Sequence, residues 1–128
     1  MKILLDTHAF LWWVTDDPRL PSSARAVISD AANVLMLSAA SAWEMGIKVA
    51  KGTLHLPAPL PELLAFIVHD ERLQGVDIGF EHALAGAALP PIHGDPFDRL
   101  LIAQAQAIGC PILTRDADIA RYDVDVIW

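Results

Sequence analysis

Short, uninterrupted apolar runs recur along the chain, and two of them pass directly into stretches with helical periodicity. Ile3 to Leu5 ends at Asp6, and Asn33 to Leu37 (NVLML) leads into a segment that holds Ala40, Trp43, Ile47 and Ala50 near one face, with Glu44 at its border. Runs this short with no polar alternation suit strands buried on both faces. Gly75 to Ile78, Pro111 to Thr114 and Val124 to Trp128 are further strand candidates. Between them, Leu60, Leu63, Leu64, Ile67 and Val68 fall on one stripe of a helix over 60–69, expected to face the core. Strands alternating with helices predict a layered α/β sandwich around a mostly parallel sheet with right-handed crossovers. In such sheets the strand ends that feed into helices share one edge, and ligands bind in the crevice outside it.

A chain of 128 residues is the size of one domain, so a single domain over 1–128 is expected. Its 54% hydrophobic content is high for that size and predicts apolar surface covered by a subunit or partner. No run reaches the ~18 to 20 apolar residues of a membrane span, and the apolar start is too short for a signal peptide, so the expectation is a cytoplasmic protein. The lone cysteine, Cys110, in the apolar segment CPILT, reads as a buried thiol. A formal charge of −7 excludes a generic nucleic-acid coat protein built on a basic face. It does not exclude a nuclease, because carboxylates neutralised by a cation enter the count without repelling the substrate locally.

The acids are therefore the groups to place. Asp6 sits where the first strand delivers the chain into its helix, and Asp116 stands two residues beyond Thr114 in the same relation to a later strand. Glu44 lies on the helix after the second strand. In HGDPFDRLLIAQA, Asp95 and Pro96 open a helix that turns Phe97, Leu100, Leu101 and Ile108 toward the core, with Asp98 in its first turn. Each has a purely structural reading: helix caps for Asp6, Asp95 and Asp116, a capping-box acid for Asp98, an i,i+4 pair with Lys48 for Glu44. Together they acquire another, because one topology brings them to the same crevice. Carboxylates gathered there repel one another unless protonated or bridged, and hard oxygen ligands without a Cys or His set select Mg²⁺ or Mn²⁺. Lys48, Arg99 and Arg115 follow Glu44 and Asp98 and precede Asp116 closely, as phosphate contacts or as salt-bridge partners of those acids.

The segments DTHAFLWW, SAASAWEMGIK, GDPFDRLLIAQA and LTRD together resemble the PIN-domain nucleases, in particular the VapC-type toxins of bacterial toxin–antitoxin pairs, and the resemblance runs from the first strand to the last. It implies a PIN-like three-layer sandwich with a central sheet of about five strands, and an acid cluster holding Mg²⁺ or Mn²⁺ in which Asp6, Glu44, Asp98 and Asp116 occupy the matching positions. Asp95 competes with Asp98 for the third place; registering the LIAQAQAIG run on the family pattern favours Asp98 and leaves Asp95 as a cap or supporting acid. Glu44 is a ligand, directly or through water, or a general base. Ser41 and Thr114 fall where the family has small hydroxyl residues beside the acids. The resemblance further implies an endoribonuclease that leaves a 5′-phosphate and a 3′-hydroxyl, a small antitoxin as partner, and a homodimer, with Trp12, Trp13, Trp43 and Trp128 either core residues or interface anchors.

Other readings carry less. His8 and His93 lie near Asp6 and Asp95, but no HExxH-type spacing marks a zinc site. An aspartate-nucleophile phosphatase expects a second acid two residues after the first, where this chain has His8. Phosphate-binding glycine motifs are absent. A PIN-like module that only binds a partner is the non-enzymatic alternative, and the gathered acids argue against it.

Overall fold

The computed structural model describes residues 1–65 and 73–128. In chain order these form β1 (Lys2–Leu5), α1 (Thr7–Val14), α2 (Ser22–Ser29), β2 (Val34–Ser38), α3 (Ala39–Ala50), α4 (Leu60–Leu64), β3 (Leu73–Val76), α5 (Phe80–Ala88), α6 (Pro96–Ile108), β4 (Ile112–Leu113), a 3₁₀ turn (Ile119–Arg121) and β5 (Val126–Ile127). All five strands run parallel, in the order β3-β2-β1-β4-β5. The layered α/β expectation holds, with every strand pair parallel. Of the strand candidates, the one at Gly75 to Ile78 shifts two residues toward the N-terminus. Val76 is there the last residue in register, opposite Ser38.

Each face of the sheet has its own apolar layer. Ile3, Leu5, Leu35 and Leu37 pack with Phe10, Leu20, Ile28 and Met45 on one side, and partly buried Leu60 and Leu64 close that layer. Leu4, Met36 and Ile112 pack with Leu101, Ile102, Ile119 and Tyr122 on the other. Alternate residues of β1 thus feed opposite cores, as the period of a strand requires. Of the stripe expected over 60–69, Ile67 and Val68 lie outside the described residues.

Two helices turn differently from expectation. On α3 the buried residues are Ala40, Ser41, Glu44 and Met45, while Trp43 is 63% exposed and Ala50 is exposed as well. The carboxylate, not the indole, goes inward, because Ser41 and Glu44 face the acid-lined edge rather than the apolar layer. On α6 the fully buried set is Leu101 to Ala105, with Phe97 at the rim, edge-on to Trp43 at 5.7 Å. The helix ends at Gly109, whose φ of +76° is a left-handed conformation that glycine adopts without steric cost. Cys110 is a buried free thiol, and burial pushes its pKa up.

The chain runs outward from β1 through β2 to β3, then returns to β4 on the other side of β1. The reversal falls between β1 and β4, the position at which parallel sheets open a crevice at their carboxyl ends.

Candidate active site

Asp6 leaves β1 as the residue before α1, in the position of its N-cap, yet its side chain makes no cap hydrogen bond. The carboxylate instead accepts from Thr114 Oγ1 at 2.8 Å. That hydroxyl in turn accepts from the Asp116 N–H at 3.0 Å. Thr114 therefore ties the ends of two neighbouring strands together and fixes both acids. Asp116 Oδ1 accepts from the Asp118 N–H at 2.8 Å, which orients it within its own turn.

Glu44 reaches the same edge from α3, 5% exposed, with Lys48 Nζ at 2.9 Å. Beside it, Ser41 Oγ accepts from Thr7 Oγ1 at 2.8 Å, pinning the start of α1 to α3. Asp95 is the N-cap of α6, accepting from the N–H groups of Phe97 and Asp98 through one oxygen. Asp98, in the first turn, pairs with His93 Nε2 at 3.2 Å.

His93 is the member that sequence reasoning missed in this role. Its Nδ1 lies 2.8 Å from Tyr122 Oη. That oxygen accepts from Arg99 Nη1 at 3.1 Å and from the His93 N–H at 3.2 Å and lies 3.4 Å from the His93 carbonyl; which of Nδ1 and Oη gives the hydrogen follows the protonation of the ring, and a charged imidazole gives Nδ1–H to the phenol and Nε2–H to Asp98. No local spacing announces this, since Tyr122 is 29 residues from His93. Arg99, expected as a phosphate contact or as a salt-bridge partner of the nearby acids, is turned into the fold instead. Besides Tyr122 it donates to the carbonyls of Pro90 (2.8 Å), Gly86 (3.1 Å) and Leu89 (2.8 Å). It satisfies carbonyls at the end of α5, where a cation also suits the helix dipole.

The acids feel one another. Burial raises the pKa of Asp6; the Thr114 hydrogen bond and nearby His8 oppose the rise, and the charges of Asp116 and Glu44 add to it. Asp98 is pushed up to about 7, first by burial and then by the charges of Asp95, Asp6 and Asp116, against the opposing His93 hydrogen bond. His93 is itself raised: burial works against its charged form, and its bonds to Tyr122 and Asp98 outweigh that. Among the described residues no three acidic, His or Cys side chains are drawn together closely enough to enclose an ion by themselves. The carboxylates share a field, and their donor set is the hard-oxygen set that Mg²⁺ or Mn²⁺ accepts. A cleft of ≈ 380 Å³ opens at Asp6 and Asp116 and passes His8, Trp12 and Arg115.

This arrangement has known counterparts. The model of the PIN domain family matches residues 3–125. The chain belongs to the PIN-domain family. Ribonuclease VapC22 of Mycobacterium tuberculosis is 30% identical over 121 residues, covering 94% of this chain and 91% of the relative. Among solved structures, this PIN domain superposes on Mycobacterium tuberculosis VapC20, described as a Sarcin-Ricin loop cleaving toxin, with a TM-score of 0.72 at 12% identity, covering 95% of each chain. It superposes on a chain of VapBC2 from Rickettsia felis, solved on a promoter DNA fragment, with a TM-score of 0.67 at 16% identity, covering 99% of this chain and 98% of the other. At those identities the superpositions speak to the fold, which is that of PIN domains.

Proposed function

We propose that this PIN domain, acting as one unit over 1–128, is a Mg²⁺- or Mn²⁺-dependent endoribonuclease and the toxin of a toxin–antitoxin pair. The observation that carries the reading is the gathering of Asp6, Glu44, Asp98 and Asp116 at the carboxyl ends of β1 and β4 and on α3 and α6, where burial and mutual repulsion raise Asp6 and Asp98. A structure that keeps such acids together without a cation gives up stability. Likeness to a VapC ribonuclease over nearly the whole chain supports the reaction class.

Asp6, Asp98 and Asp116 would hold the ion, with Glu44 joining through water or serving as general base, and Asp95 kept to its cap. A bound divalent ion supplies an acidified water and charge stabilisation for an in-line attack on a phosphodiester. The chain's own residues do the rest. Thr114 fixes Asp6 and Asp116 in one orientation, and Ser41 holds α3 against α1. Lys48, 39% exposed beside Glu44, and Arg115 are the cations placed to meet phosphate. His93 holds Asp98 through a bond that favours its charged form.

The solved VapBC structures pair a chain of this fold with a second protein, which supports a small antitoxin as partner here. The exposed side chains of Trp43 (63%), Phe80 (90%) and Leu84 (71%) supply apolar surface for that partner or for a second copy in a homodimer. Among the described residues no helix is long and apolar enough to cross a membrane, and the proposed site of action is cytoplasmic RNA.

The test is cleavage of a panel of structured RNAs with Mg²⁺ or Mn²⁺, with EDTA, and with Asp6→Asn under the same conditions. Metal-dependent cutting that disappears in Asp6→Asn is the expected result. A wild-type protein free of inhibitor that neither cuts any of the panel nor binds Mn²⁺ would overturn the reading.

A further inference from the structure

Asp6 and Asp116 occupy one end of a cleft whose other walls, Arg115 apart, have no role in the chemistry above. From Asp6 and Asp116 the cleft continues past His8, Trp12, Arg19, Arg115 and Trp128. A second depression of ≈ 520 Å³ shares His8, Trp12 and Arg19 with it and extends to Lys48 and His55. A trough therefore leads away from the acid cluster, and beyond Asp6 and Asp116 its charged lining is Arg19, Arg115 and Lys48 against Asp17, in a chain whose formal charge is −7.

The floor of this trough is the Trp12 indole, 5% exposed and thus not itself open to a ligand. Two guanidinium groups lie over its ring, Arg115 Cζ at 4.4 Å and Arg19 Cζ at 4.9 Å from the centroid. A cation–π contact holds a guanidinium in place without neutralising it. Arg115 is exposed, and although Asp116 is its neighbour in sequence, it makes no ion pair or hydrogen bond among the described residues. Arg19 gives Nε and Nη2 to Asp17; its Nη1 has no protein partner among the described residues. Trp128 meets Trp12 edge-on at 6.0 Å, and His8 stands 5.8 Å from Trp12, so the walls beside the arginines are aromatic. Guanidinium forks match phosphate oxygens, and aromatic walls accept any base.

Resting on the nuclease reading, we propose that this trough is a subsite for single-stranded RNA backbone, in which Arg115 and the free edge of Arg19 grip the phosphate next to the one presented to the acids. The subsite offsets the repulsion that the acid cluster imposes on a polyanion and sets the direction in which the strand leaves the site. Its aromatic walls predict tolerance of sequence at that nucleotide.

The test uses the Asp6→Asn protein in EDTA, so that nothing is cut, with fluorescein-labelled octauridylate as the probe and anisotropy measured over a series of KCl concentrations. Each phosphate contact on a single strand contributes about 0.7 to the slope of log affinity against log salt. Arg115→Ala is expected to lower that slope by about 0.7 and to weaken binding roughly tenfold at low salt. Arg115→Lys keeps the slope, because it keeps the charge. Arg19→Ala lowers the slope too. Lys2→Ala, at the opposite edge of the sheet, leaves it unchanged. Thermal melts identify any variant that fails to fold, and if Arg19→Ala is one, Arg115→Ala against Arg115→Lys decides alone. An Arg115→Ala slope equal to that of Lys2→Ala overturns the subsite, as does tighter binding of octaglutamate than of octauridylate, which would assign the trough to an acidic protein segment. If wild type still cuts RNA with Mg²⁺ in either case, the nuclease reading stands and only the subsite falls.

Discussion

With no divalent ion bound, the stability of this protein is expected to depend on pH through Asp98. The folded carboxyl has a pKa of about 7 against an ordinary 3.8, so between those values the folded chain binds a proton that the unfolded chain does not. Stability then falls as pH rises. Asp6 and His93 are raised as well; each contributes stability that is present at low pH and lost as pH climbs through its folded value, so the sign is shared. Asp17 is lowered to about 2 by its hydrogen bonds to Arg19 and loses its contribution only as pH falls below the range of interest. At about 1.4 kcal/mol per pH unit, the rise of Asp98 sets a ceiling of about 4 kcal/mol. Water at the 13% of the side chain that is exposed screens part of it, which leaves about 1 to 3 kcal/mol. The assay is the Tm in EDTA at about pH 5 and about pH 7.5 for wild type and Asp98→Asn, whose amide keeps the shape and cannot ionise. Wild type is expected to lose several degrees more than the variant over that interval, and millimolar Mg²⁺ to restore the loss at the higher pH in wild type alone. A wild-type-to-variant difference identical at both pH values would refute the linkage between repulsion and burial at this edge.

Arg99→Ala leaves the carbonyls of Gly86, Leu89 and Pro90 without this donor and the Tyr122 hydroxyl with the His93 N–H alone, and is expected to cost about 2 to 4 kcal/mol in urea unfolding; Arg99→Lys restores little of it, because a single ammonium cannot reach groups spread around a planar fork. Thr114→Val keeps the volume and removes both bonds that fix Asp6 and Asp116. It is expected to lower stability by about 1 to 3 kcal/mol and to raise the Mg²⁺ concentration needed for half-maximal cleavage, read from a metal titration.

The fold was legible because its strands are short, apolar and punctuated by acids: β1, β2 and β4 coincide closely with the runs ending near Asp6, Leu37 and Thr114. The crevice followed from the parallel order, and Asp6 and Asp116 line it. Helix faces were harder. Ala40, Trp43, Ile47 and Ala50 share one face of α3 by spacing, yet only Ala40 of them is buried, because the edge of this sheet draws carboxylate and hydroxyl inward and leaves an indole outside. Contacts of long sequence separation were invisible. Nothing near His93 signals Tyr122, and nothing near Arg99 distinguishes a cation facing solvent from one bound to the end of α5. The pairing of Arg19 and Arg115 over Trp12 was hidden for the same reason.

The hydrogen bond between Thr114 and Asp6 joins residues 108 positions apart, and Asp116 enters the cluster only through that later strand. A ribosome therefore releases the first acid long before it releases the group that orients it. Until β4 slides in beside β1, a growing chain carries scattered carboxylates and no assembled centre. For a protein whose activity would threaten the cell that makes it, the order of synthesis is itself a delay: the centre forms in the last steps of folding, which gives a partner already present time to meet the finished surface.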